Sequence, residues 1–302
     1  MEVNKIIKKH NKAKSDVVLD VIKVIFLFVV TFVTLFPFWN ILVVSLNDAQ
    51  DALRGGIYFW PREFSLASYR RIFQNELFMN SIKVSVARTF LATPLAVLVT
   101  AMSAYVVSRK ELVGRKGLNL FFIFTMYFSG GIVPYYMVIR SMGLINNFFV
   151  YIIPGAMGVY NMILIRSFID NLPEELFESA KLDGANDITI FFKIVMPLSK
   201  PILMTVALFV AVGQWNSWFD AHLFTTSQSL KPMQAILVEI LNQYQVGETL
   251  SAQMSAAASG QSITPDSIRY AATIVSTLPI IMVYPFIQRY FIKGMMIGAI
   301  KS

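Results

Sequence analysis

The sequence predicts an all-α integral membrane protein with six transmembrane helices and a cytoplasmic helix–bend–helix loop between the fourth and fifth. Three observations carry that expectation. The 302 residues are 56% hydrophobic and only 15% charged, which is too apolar for an ordinary soluble domain. The charges are bunched, leaving clean apolar runs: residues 24–44 hold no charge over about 31 Å of helix. Lys and Arg also alternate in density from loop to loop, with 17 on one side of the expected membrane and 6 on the other. The richer side is cytoplasmic, so both termini and the loop at 171–198 are expected there.

Composition also excludes several classes. A net charge of +8 could indicate nucleic acid, but basic residues flanking membrane spans account for it, and no nucleic-acid partner is expected. The absence of cysteine rules out disulfides and thiol chemistry. His10 and His222 have no partner at metal-ligand spacing, so no metal is expected. No Gly-x-x-x-x-Gly-Lys-Ser/Thr occurs, so this chain does not hold ATP in the P-loop manner.

Taken in order, residues 1–16 form a polar tail with Lys5, Lys8, Lys9, Lys12 and Lys14, and 17–302 form the membrane domain. The first span is 21–46. A signal peptide is the competing reading, but the apolar run has the ~20 residues of a full span and no small-x-small cleavage site follows. An outer loop over 47–76 includes a short helix with Tyr69 and Phe73, capped by Ser65. Span two is 78–108. Lys83 is expected to snorkel to the headgroups, while Arg88 is open between bundle interior and interface.

Arg109, Lys110, Arg115 and Lys116 make a basic inner loop, and span three follows at 118–140. It is interrupted by Ser129-Gly130-Gly131 and Pro134, either as a bend lining a path or as a place of close helix packing. Span four is 148–167, with Pro154, Gly155 and Gly158 inside it, and Arg166 marks the return to the cytoplasm. Span five is 200–219. In the outer loop at 220–267, Met233, Ile236, Leu237, Ile240, Leu241 and Tyr244 recur at helical spacing, and 251–262 is a small-residue run. Span six is 268–291, with Arg289, Lys293 and Lys301 near or beyond its inner end.

The stretch at 171–198 is the polar passage between spans four and five. Asn171 reads as an N-cap with Glu174 as its capping-box partner, and Pro173 sits in the first turn. Leu176, Phe177 and Ala180 share a face, and Gly184 suits a left-handed C-terminal cap. Asp187 opens a second helix with Ile190, Phe191 and Ile194 on one side, closed by Pro197. A pair of short exposed helices with apolar teeth is a docking element.

These residues carry a resemblance. Glu178-Ser179-Ala180, Asp183-Gly184-Ala185, then Ile194, Met196 and Pro197 are similar to the EAA loop of importer-type ABC permeases. The family pattern runs Glu-Ala-Ala, three residues, Gly, nine residues, Ile-x-Leu-Pro. Every spacing is kept, with Ser179 for the first Ala and Met196 for Leu. The resemblance extends over nearly the whole chain, to carbohydrate-uptake permeases of the maltose-permease type. The runs GGIVPYYMVIRSMGLINN and QWNSWFDA resemble the LplC-like branch.

The resemblance implies a bacterial inner or plasma membrane protein that is not itself an enzyme. ATP and Mg2+ would be held by a pair of separate ATP-binding subunits, and a homologous second permease chain and an extracytoplasmic solute-binding protein would complete the assembly. It implies that Glu178, Ser179, Ala180, Asp183, Gly184, Ala185, Ile194 and Pro197 couple the ATPase to the membrane helices, and that the tail with Gly294 and Gly298 can also touch it.

The residues alone point the same way. An enzyme would need convergent acid, base or nucleophile groups in the bundle, and the spans hold almost none. A secondary transporter often shows inverted repeats and intramembrane ionisable pairs, and neither is evident. What remains is a permease driven from outside itself, with an undriven channel or scaffold, or a non-sugar cargo, as alternatives. Oligosaccharide contacts are expected at Gln214, Trp215, Asn216 and Trp218, with Tyr135 and Tyr136 as further candidates. An aromatic belt at the outer end of span five is the competing reading of the tryptophans.

Overall fold

A computed structural model describes residues 14–243 and 264–299. Most of the N-terminal tail, Tyr244 and the small-residue run at 251–262 lie outside the described residues, as do the side chains around Gly294 and Gly298. The described residues are helical, joined by loops, with one isolated bridge between Asn47 and Phe64.

Helix α1 (Lys14–Ser45) is the first span. Its residues from Val18 to Leu35 are largely exposed, while Val43 and Ser45 are buried where α1 meets a small helical cap and the last helix. The cap consists of α2 (Ala49–Leu53) and α3 (Ala67–Gln74). Asp48 accepts from the Gln50 and Asp51 amides and so opens α2. Contrary to the sequence expectation, α3 begins after Leu66 with no side-chain cap; Ser65 accepts only from Ala67 N at 3.3 Å, and Tyr69 is tied to Ser45 at 2.6 Å. Buried Asp51 is held below the ordinary carboxylate range, first by a hydrogen bond from Asn47 and then by Arg62 and Arg54, against the opposing effect of burial.

Helix α4 (Glu76–Ser108) is the axis of the bundle. Ala92, Ala96, Thr100 and Ala104 recur every four residues and are buried, so one stripe of small side chains lets neighbouring backbones approach. That stripe explains why both α7 (Val159–Ile169) and α11 (Lys200–Asn216) pack on α4. Lys83 is exposed, whereas Arg88 is 1% exposed and belongs to the interior.

Span three is two helices, α5 (Arg115–Tyr127) and α6 (Ile132–Ser141), bent by 114° at the Ser-Gly-Gly break. Gly131 sits at φ 89°, ψ 174°, a backbone region open essentially to glycine alone. The expected fourth span is helical only in its second half. Phe148–Tyr151 is a 3-10 turn, the chain over 152–158 is irregular around Pro154, Gly155 and Gly158, and α7 has 11 residues. That is about 16 Å of helix, roughly half a hydrocarbon core. Among the described residues three helices are long and apolar enough to cross a membrane by themselves, and at most five spans result if each bent pair counts as one, against the six expected from the sequence.

The loop after α7 contains α8 (Glu175–Leu182) and α9 (Asp187–Ile190), a π-helical turn at Phe191–Val195, and α10 (Met196–Leu198). An 82° break separates Asp187–Leu198 from α11. The break falls at Ser199, not at Pro197 as the sequence suggested. Pro197 lies at the start of α10, where its missing N–H is tolerated, and the helix runs one residue further. At the far end of α11 from the 171–198 loop, α12 (Phe219–Phe224) and α13 (Met233–Gln243) follow. Met233 and Leu237 are buried and pack with α14 (Pro265–Ala299), the longest helix described.

Candidate functional site

In the loop at 171–198, the bend is built around Gly184. Its φ is +80°, and Gly184 N donates to Lys181 O at 3.0 Å while Ala185 N donates to Ala180 O at 2.9 Å. These two bonds are the Schellman pattern, which closes α8 by using its orphan carbonyls. Asn186 then caps α9 by accepting from Thr189 N at 2.8 Å, with Asp187 as the first helical residue. The other end departs from the sequence reading: α8 starts after Glu174 with no side-chain cap. Asn171 instead donates to Ser167 O at 2.6 Å and finishes α7.

The loop has two faces. Phe177, Ala180, Ile190, Phe191 and Val195 are buried in a core shared with α4, α7 and α11, and Ile194 and Ala185 pack against it. Glu178, Ser179, Asp183, Gly184 and Pro197 are exposed. Between these polar groups stand Leu182, 88% exposed, and Ile188, 70% exposed. A base anchored in the core thus presents two exposed apolar residues, with Glu178, Ser179 and Asp183 exposed on the same loop.

The basic inner loop after α4 grips this base, which the sequence reading did not anticipate. Lys110 pairs with Glu174, Lys181 with Glu111 at 2.7 Å, and Arg115 approaches Asp170 at 3.8 Å. The Arg109 guanidinium lies 3.9 Å from the Phe177 ring centroid and 5.0 Å from that of Tyr105. Lys181 donates to Glu111 and lowers its carboxyl pKa below the ordinary 4.5. Because the folded value is depressed, the pair's stabilisation is complete above pH 4.5 and is lost as pH falls through the lowered value. Both side chains are well exposed, so Glu111→Gln is expected to cost less than ~1 kcal/mol in thermal unfolding at neutral pH.

The second cluster lies at the other end of α4. Arg88 donates from Nε and Nη2 to Gln214 Oε1 at 3.0 and 2.9 Å, and from Nη2 to Asp220 Oδ2 at 2.5 Å. It also reaches Ser217 O at 3.3 Å and stacks 4.3 Å from the Tyr151 ring centroid. A guanidinium inside an apolar bundle needs this many partners, because each N–H left unpaired there is costly. The lone Arg in span two and the lone Asp just beyond span five were visible in sequence, but nothing local joins residues so far apart.

The expected substrate contacts divide. Gln214 is half-buried and spends its carbonyl oxygen on Arg88. Trp215 is buried in the helix-packing core, where Nε1 donates to Ser276 O at 2.9 Å. Its indole faces α14. Trp215→Phe is therefore expected to lower stability by about 0.5–1.5 kcal/mol in thermal unfolding, through the lost indole–carbonyl hydrogen bond, and to leave cargo preference unchanged in uptake assays. Asn216 and Trp218 are exposed, the latter edge-on to Phe219 and His222. Tyr135 is 48% exposed and, with Tyr136, rests on Phe224.

Comparison with known proteins agrees with this architecture. The profile described as "Binding-protein-dependent transport system inner membrane component" matches residues 78–297. The polygalacturonan/rhamnogalacturonan transport system permease protein YtcP of Bacillus subtilis is 36% identical over 277 residues, covering 92% of this chain and 96% of that one. Protein LplC of the same organism is 36% identical over 294 residues, 97% and 98% of the two chains. The trehalose/maltose permease MalG of Thermococcus litoralis is 27% identical, over 96% and 99%. A chain from the crystal structure of a bacterial ABC transporter that imports the acidic polysaccharide alginate superposes with a TM-score of 0.85 at 27% identity, over 93% and 99%. The chain belongs to the binding-protein-dependent transport system inner membrane component family and is a multi-pass permease subunit of a carbohydrate-uptake ABC importer.

Proposed function

We propose that this chain forms one half of the path through which acidic, uronate-containing oligosaccharides enter the cell. A homologous second permease supplies the other half, and a solute-binding protein delivers the cargo on the outer side. The observation that carries the mechanism is the anchored α8–α9 bend with exposed Leu182 and Ile188 at its tip. This tip docks into a groove of an ATP-binding subunit on the cytoplasmic face, with Glu178, Ser179 and Asp183 around the contact. ATP, Mg2+ and hydrolysis belong to that separate subunit and its twin. Rigid-body motion of the ATPase pair moves the loop, and α7 and α11 turn with it, opening the path alternately to either side. Both chain termini are cytoplasmic, following the bias in Lys and Arg.

The acidic-cargo reading is supported by what relatives carry: polygalacturonan and rhamnogalacturonan for YtcP, alginate for the solved transporter. The test is reconstitution of the complex with labelled oligogalacturonates and neutral malto-oligosaccharides. Uptake of the former that depends on ATP and on the binding protein is expected. Preference for the neutral sugars overturns the cargo reading. An ATPase that does not copurify overturns the coupling reading.

A further inference from the structure

Both halves of the coupling loop are tied to the inner end of α4, and the ties differ in kind. On α8, Phe177 receives the Arg109 guanidinium, Lys181 pairs with Glu111, and Glu174, just ahead of the helix, pairs with Lys110. On α9, Asp187 accepts from the Tyr105 hydroxyl at 3.1 Å, and the Tyr105 ring lies 5.6 Å from that of Phe191. Arg109, half-buried, lies over both the Phe177 ring of α8 and the Tyr105 ring of α4, and Tyr105 in turn holds α9, so Arg109 joins the two sets of ties through Tyr105. Exposed lysine–glutamate pairs are loose and screened by salt. A planar guanidinium between two rings is fixed in orientation as well as position.

Helix α4 is continuous to its outer half, where Arg88 holds Gln214, Ser217 and Asp220 of the α11–α12 corner. Arg88 and Arg109 stand about 31 Å apart along the helix axis. We propose that Arg109 is a positioning residue that locks the coupling loop to α4 and makes α4 an output of the loop in addition to α7 and α11. A displacement of α8 then reaches the outer Arg88 cluster directly along one helix, as well as around the Ser199 break. The inference rests on the reading of α8–α9 as the ATPase dock.

The chain contains no cysteine, so paired cysteines can be placed for spin labelling in the assembled complex, with partner subunits made cysteine-free. Lys83→Cys reports the outer half of α4, Met204→Cys the inner half of α11, and Leu35→Cys on α1 serves as reference for each. All three native residues are exposed. With ATP and vanadate, both distances are expected to change, by shifts on the order of 1–2 Å or more. Arg109→Ala is expected to lose most of the Leu35–Lys83 change, to keep the Leu35–Met204 change, and to retain the ATPase on copurification.

Arg109→Lys, which keeps charge but does not stack, is expected to behave like Arg109→Ala. Phe177→Leu keeps apolar bulk and removes the ring. It gives the same readout if Arg109→Ala does not assemble. A full Leu35–Lys83 change in these variants, or none in the parent while α11 moves, overturns the proposal. Loss of the ATPase from the parent complex, with neither distance changing, instead places the failure in the docking reading.

Discussion

Gly184→Val is expected to strip the ATPase from the purified complex and to cut uptake at least about five-fold. The residue holds φ +80°, where an L side chain is strained by its own backbone, and no neighbouring atom lies within 4 Å of a β-carbon placed there. The penalty is therefore conformational alone, about 1–2 kcal/mol for an ordinary residue and more for a β-branched one. Against a single bend that is a factor of roughly 5–30 in occupancy. The Schellman bonds of Ala185 and Gly184 are the first lost, and the α9 helix leaves its angle to α8. Gly184→Asn, which tolerates the left-handed region, is expected to keep most of the activity. Copurification and uptake decide the matter: undiminished values in Gly184→Val would remove the bend from the mechanism.

Removing the Arg88 guanidinium should be the most destabilising single polar change in the membrane domain. Arg88→Met strands Asp220 and the Gln214 carbonyl oxygen, and breaking a buried pair in this way costs about 3–5 kcal/mol. Asp220 keeps 25% of its side chain exposed, so a value near 3 kcal/mol is expected. The double variant Arg88→Met/Asp220→Leu removes both charges and should recover to within about 1 kcal/mol of the parent in thermal unfolding, since apolar replacement of a whole buried pair is often neutral. Uptake is expected to stay low in the double variant, because the corner carrying Asn216 and Trp218 loses the tie that orients it. If the double variant is as unstable as the single, the pair is not what makes Arg88 costly to remove.

Much of this was legible in the residues. Clean apolar runs announced α1, α4 and α14, because a span in lipid must satisfy its backbone internally and exclude charge along its length. The Ser129-Gly130-Gly131 break and the Gly184 bend were equally plain, since both demand backbone angles that glycine alone takes up cheaply. The Lys and Arg bias supplies an expected orientation without reference to any relative.

Other features were not legible, and they share a cause. The apolar run at 148–167 has the length of a span, yet the chain over 152–158 around Pro154, Gly155 and Gly158 leaves helical form, and whether such breakers end a helix or only kink it depends on the partners packing supplies to the freed backbone groups. Trp215 looked like a sugar platform, but Ser276, 61 residues away, captures its indole. Arg88 with Asp220, and Arg109 between Tyr105 and Phe177, join residues that no window of sequence contains. Local order in this protein follows from hydrophobic pattern and turn chemistry, which are properties of neighbours along the chain. Its working contacts arise where α4 brings distant, individually unremarkable charges and rings within reach of one another, and that proximity exists only once the helices have packed.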